Sequence, residues 1–83
     1  PPKGLLMDLG NDHGFPPLTR TELSCLRRCA DGQTDQEIGK DMELSPNEVA
    51  SVISVVMLKL RTPNRMATLA KASRLGLLAN TTE

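Results

Sequence analysis

Three sets of residues in this chain have types and spacings that chemistry could use. Cys25 and Cys29 stand one helical turn apart, as a redox or metal-binding pair would. A metal would need further ligands, and the single histidine, His13, lies in a Gly- and Pro-rich stretch far along the chain. The two thiols therefore read as small core residues in a reducing compartment, and no metal is expected. Glu22, Glu37 and Glu48 offer carboxylates, but each follows a Thr or Ser by three positions, as Thr19, Thr34 and Ser45. That is the spacing of a helix-capping pair, so all three read as structural rather than acid–base groups. The third set is cationic: Lys59, Arg61 and Arg65 cluster within seven residues, as phosphate-holding side chains do. No Ser-His-Asp set and no phosphate-cradling Gly loop is present, so neither an enzyme nor a cofactor is expected.

Composition narrows the field further. With 83 residues the chain supports one small domain with a thin core. One Phe, no Tyr and no Trp argue against functions that stack bases or sugars on aromatic rings. No apolar run approaches the roughly 20 residues of a membrane span, and no membrane partner is expected. The chain opens Pro1-Pro2 and reads as a piece of a longer protein. Its net charge of zero conceals polarity. Residues 31–48 carry six acids (Asp31, Asp35, Glu37, Asp41, Glu43, Glu48) against Lys40 alone, whereas residues 49–82 carry Lys59, Arg61, Arg65, Lys71 and Arg74 and no acid.

The elements that would position these groups are helices. Residues 1–17 hold four of the six prolines and three of the six glycines and read as a linker, the cluster Leu5-Leu6-Met7 leaving a short docking helix over 4–9 as the alternative. From Leu18 the signals become helical. Thr19-Arg20-Thr21-Glu22 is a capping box, and Leu18 with Leu23 fits the accompanying hydrophobic staple. Leu23, Leu26, Cys29 and Ala30 then mark an inner face, and Gly32 stops the helix. Thr34–Glu37 opens a second helix with Ile38 and Met42 inward. Ser45–Glu48 opens a third, with Pro46 at its first position and Val49, Val52, Ile53, Val56 and Leu60 inward. Thr62-Pro63-Asn64 breaks the pattern before a fourth helix from Arg65, with Met66, Leu69 and Ala70 inward. Gly76 ends it, and Leu77 and Leu78 fold back over the core. Residues 79–83 form a tail. The fold class expected is all-α: a helix, a tight turn, a short helix and a longer one make a helix-turn-helix. Such a unit presents the outer face of its third helix rigidly, in a form that enters a DNA major groove.

Residues 18–78 resemble the LuxR/GerE-type helix-turn-helix domain of bacterial transcription regulators. The resemblance rests on Leu18-Thr19, Glu22-Leu23, Ala30-Asp31-Gly32-Gln33-Thr34 and Glu37-Ile38-Gly39. It continues through Leu44-Ser45-Pro46, Val49, Lys59-Leu60, Asn64-Arg65, Ala67 and Gly76-Leu77-Leu78. It implies a four-helix bundle without a wing that binds double-stranded DNA in the bacterial cytoplasm, at the nucleoid, as a homodimer through the fourth helix. An autoinducer-binding domain, a phosphoacceptor domain or neither could precede it.

Phosphate contacts are then expected from Lys40, Ser45, Lys59, Arg61, Asn64 and Arg65, base-facing positions at Asn47, Ala50, Ser51 and Ser54, and a dimer face at Thr68, Ala72 and Leu75. The family commonly carries Thr-Val-Lys where this chain reads Glu48-Val49-Ala50, and none of Ala50, Ser51 or Ser54 can make the bidentate guanine contact of Arg or Lys. Val55 and Leu58 fall on the same outward face. They support an alternative in which the module contacts RNA polymerase or another regulator.

Overall fold

The structure, a computed structural model, describes residues 16–78. The linker reading of residues 1–15, the docking helix over 4–9 and the tail at 79–83 lie outside the described residues. Four helices follow one another: α1 (Arg20–Ala30), α2 (Asp35–Met42), α3 (Pro46–Leu60) and α4 (Arg65–Arg74). No strand occurs among the described residues.

Each of the first three helices starts with a reciprocal capping box. Thr19 Oγ1 accepts from the Glu22 N–H at 3.1 Å while Glu22 Oε1 accepts from the Thr19 N–H at 2.8 Å. Thr34 with Glu37 and Ser45 with Glu48 repeat the arrangement. Each box satisfies two backbone donors that a helix start leaves orphaned. The helix ends are equally regular. In α1, α2, α3 and α4 the chain turns through a left-handed residue: Gly32, Glu43, Arg61 and Gly76. After each, the next N–H returns five residues, as in Gln33 N–H to the Arg28 carbonyl and Leu44 N–H to the Gly39 carbonyl. This is the Schellman stop. Two of the four stops use glycine, and the two that flank α3 use charged residues.

The core divides into two clusters that succeed one another along the inner face of α3. Val49 and Ile53 join Cys25 and Ile38, with Met42, Leu44 and Val52 packed around them. Val56 and Leu60 join Leu26 and Ala72, sealed by Leu18, Leu69, Leu77 and Leu78. The expected inner faces of α2 and α3 agree with this, as does the fold-back of Leu77 and Leu78. Two faces differ from expectation. In α1, Ala30 is exposed and the inner stripe is Glu22, Cys25, Leu26 and Cys29. In α4, Met66 and Ala70 are exposed, and the stripe is Arg65, Thr68, Leu69 and Ala72. Both share one feature: a charged residue with an ion-pair partner on another helix leads the inner stripe.

Candidate nucleic-acid interface

The α2–α3 junction depends on Gly39. The Leu44 carbonyl oxygen comes down on this residue so closely that a Cβ there would overlap it. The absence of a side chain lets the chain reverse through Glu43-Leu44-Ser45, and Leu44 N–H closes on the Gly39 carbonyl at 2.8 Å. Pro46 then starts α3 with its ring at the first helical position, where no N–H is needed.

Braced in this way, α3 exposes Asn47, Ser51, Ser54, Val55 and Leu58, while Ala50 is half-buried. Val55 is 41% exposed and Leu58 79%. Between Glu48 and Lys59 the helix carries no charged residue.

The cations around α3 divide into two groups. Lys59 Nζ donates to Glu22 Oε1 at 2.8 Å and to the Pro17 carbonyl at 3.2 Å. Arg65 grips Asp35 with both arms of its guanidinium, at 2.6 and 2.8 Å. Lys59 and Arg65 thus tie α3 to α1 and α4 to α2. The phosphate contacts expected of Lys59 and Arg65 therefore fall on side chains already held in ion pairs, Lys59 in one that is largely buried and Arg65 in one whose guanidinium side chain stays 39% exposed. The carboxyls record it. Burial pushes the Glu22 carboxyl up, but the Lys59 ammonium and the Thr19 N–H together hold it below the ordinary value. The Arg65 guanidinium, against a smaller effect of burial, does the same for Asp35. Lys71 is also engaged, donating to the Leu60 carbonyl at 2.8 Å.

Lys40 and Arg61 are exposed and make no ion pair among the described residues. Arg61 occupies the left-handed stop of α3, φ 57°. The helix N-termini differ as well. Ser45 opens α3 beside the Glu48 carboxylate, whereas α4, capped by Asn64 Oδ1 on the Ala67 N–H at 2.8 Å, has no acid in its first turn. An anion meets less opposition at α4.

The expected dimer face does not survive. Thr68 and Ala72 are completely buried, and the Thr68 hydroxyl donates to the Asn64 carbonyl at 2.7 Å and lies 2.5 Å from the Thr62 hydroxyl. Of the three residues only Leu75 reaches the surface. The outward face of α4 is instead Met66, Ala70 and Ser73. It could have been found in the sequence by noting that Arg65, once paired, drags Thr68 and Ala72 inward with it.

Cys25 is buried, its thiol raised by that burial, and its Sγ lies 3.6 Å from Met42 Sδ. No metal-holding group of His, Cys, Asp and Glu occurs among the described residues. None of their helices is long and apolar enough to cross a membrane.

Four helices with a braced, outward-facing α3 define a helix-turn-helix DNA-binding domain. The chain belongs to the luxR family of bacterial regulatory proteins, the GerE domain, which matches residues 16–72. That family comprises DNA-binding transcription regulators rather than enzymes. No curated protein and no solved structure matched the chain.

Proposed function

We propose that this domain holds duplex DNA by laying α3 in the major groove. Asn47, Ser51 and Ser54 face base edges there, and Ala50, Val55 and Leu58 offer apolar contact to thymine methyls. Lys40 and Arg61 take phosphates on the two flanks, helped by backbone N–H groups at Asn64 and, less favourably, at Ser45. The observation that carries this reading is the uncharged, exposed face of α3, supported from behind by both core clusters. Two copies act together in the cytoplasm, paired through Met66, Ala70, Ser73 and Leu75 of α4.

Titration of a short duplex at several salt concentrations tests the reading. Lys40→Ala and Arg61→Ala each weaken binding about equally across sequences and flatten the log–log salt slope by about one unit. If both variants bind with unchanged affinity and slope, the assignment fails.

The exposure of Leu58 favours a second reading, in which α3 contacts RNA polymerase or another regulator through Val55 and Leu58. Val55→Asp would then abolish partner capture without unfolding the domain, and unchanged capture would dismiss it.

A further inference from the structure

Asn47, Ser51, Ser54 and Leu58 follow one another by four, three and four positions and form a single row along α3. Ala50 flanks the row on one side and Val55 on the other, and all six but Ala50 are exposed. Each DNA base offers the major groove a different edge, and each edge has its own protein partner.

Guanine is read by the paired donors of Arg or Lys, and the row holds neither. Cytosine is read by a carboxylate that accepts from its amino group. The one carboxylate near the row, that of Glu48, accepts the Ser45 N–H at 2.7 Å as part of the helix cap. Adenine is read by the amide of Asn or Gln, which Asn47 supplies. Thymine is read by apolar side chains laid on its C5 methyl, and Ala50, Val55 and Leu58 supply those. Ser51 and Ser54 pair with any base and so do not choose among them. A cytosine placed where a thymine would stand brings no methyl, and the apolar contact with Val55 and Leu58 is lost.

We infer, resting on the placement of α3 in the major groove proposed above, that this face selects duplex rich in A·T pairs. Val55 and Leu58 grip the C5 methyl of thymine, and Asn47 pairs with an adenine.

Four short duplexes separate these contributions for the full chain: alternating A·T, the same with uracil for thymine, alternating G·C, and the same with 5-methylcytosine for cytosine. Phosphate contacts are common to all four, so affinity ratios at one fixed salt concentration report the groove. The A·T duplex should bind about tenfold or more tightly than the G·C duplex. Uracil should weaken binding about fourfold for each methyl contacted, and 5-methylcytosine should restore a similar factor to G·C. Val55→Ser, at an exposed position, should shrink the ratio of thymine to uracil duplex affinity. Asn47→Ala should leave that ratio unchanged and shrink only the preference for A·T over G·C. Equal affinity for all four duplexes, or a uracil duplex bound as tightly as the thymine one, would overturn the inference while leaving duplex binding intact. If none of the four binds even at low salt, the groove placement falls and the inference with it.

Discussion

Lys59 decides between two accounts of the basic residues, and replacing it by methionine separates them. In the structure its ammonium is the charged partner of Glu22, whose residue is only 9% exposed. Lys59→Met leaves that carboxylate with the Thr19 N–H alone and removes the donor to the Pro17 carbonyl. A hydrogen bond to a charged group contributes about 1.5–3 kcal/mol, and exposed pairs contribute about 0–1 kcal/mol. The Lys59 side chain is 22% exposed and that of Glu22 11%, which places this pair nearer the former. The expected loss is about 2 kcal/mol. In a domain of this size that lowers the melting temperature by roughly 8–16 °C.

Glu22→Gln in the Lys59→Met background should cost less than the two changes added separately. Once the ammonium is gone, removing the carboxylate charge no longer breaks an ion pair, so a coupling of about 1 kcal/mol is expected. Thermal and urea unfolding followed by circular dichroism measure this cycle. Duplex titration of the same variant, below its melting point, should show an unchanged salt slope. The reasoning is refuted if Lys59→Met unfolds within about 0.5 kcal/mol of the native chain and loses about one unit of slope. Lys59 would then be a phosphate contact with an idle acid beside it.

Stability should fall on the acid side. Glu22 and Asp35 both have folded carboxyl values below the ordinary one. Their contribution is complete above the unfolded value, near about pH 4, and is lost as pH drops through the folded values. Urea midpoints across this range would show it, with a shallower decline in Asp35→Asn. A flat profile would contradict the ion pairs. Gly39→Ala should destabilise by at least about 2 kcal/mol, because its Cβ meets backbone rather than a movable side chain; a neutral result in chemical denaturation would mean the α2–α3 turn sits further from α2. Glu43→Gly should stabilise by about 0.5–1 kcal/mol, since release from a left-handed cost of about 1–2 kcal/mol exceeds glycine's added unfolded-state entropy. Calorimetry showing a loss would indicate that the Glu43 side chain holds something.

The parts of this fold that were legible in the sequence are those encoded within four residues. The three capping boxes, the proline at the start of α3 and the glycine stops of α1 and α4 each announce themselves locally. Glu43 and Arg61 gave no such signal, because a left-handed stop without glycine has no residue type of its own. The inner faces of α1 and α4 were displaced because Glu22 and Arg65 look like surface residues until their partners are known. Those partners lie 37 and 30 positions away. The polarity of the chain was the available clue: Asp35 comes from the acidic stretch and Arg65 from the basic one, and the fold brings the two together. The same pairing alters the candidate site. Cations counted along the sequence suggested a cluster of three around the end of α3, whereas in the folded chain Lys59 and Arg65 are held in ion pairs and Arg61 of that trio makes none among the described residues.

The partition of the apolar interior along α3 has a mechanical consequence. Detaching α4 exposes the lower compartment of Val56, Leu60 and Ala72 but leaves Cys25, Ile38, Val49 and Ile53 enclosed. Peeling α2 away does the reverse. Only α1 and α3 belong to both compartments, α1 through Cys25 and Leu26, so neither is released by either partial opening, and the amides of α3 should be among the last to exchange with solvent. The domain can loosen at either end while the rod it presents stays straight.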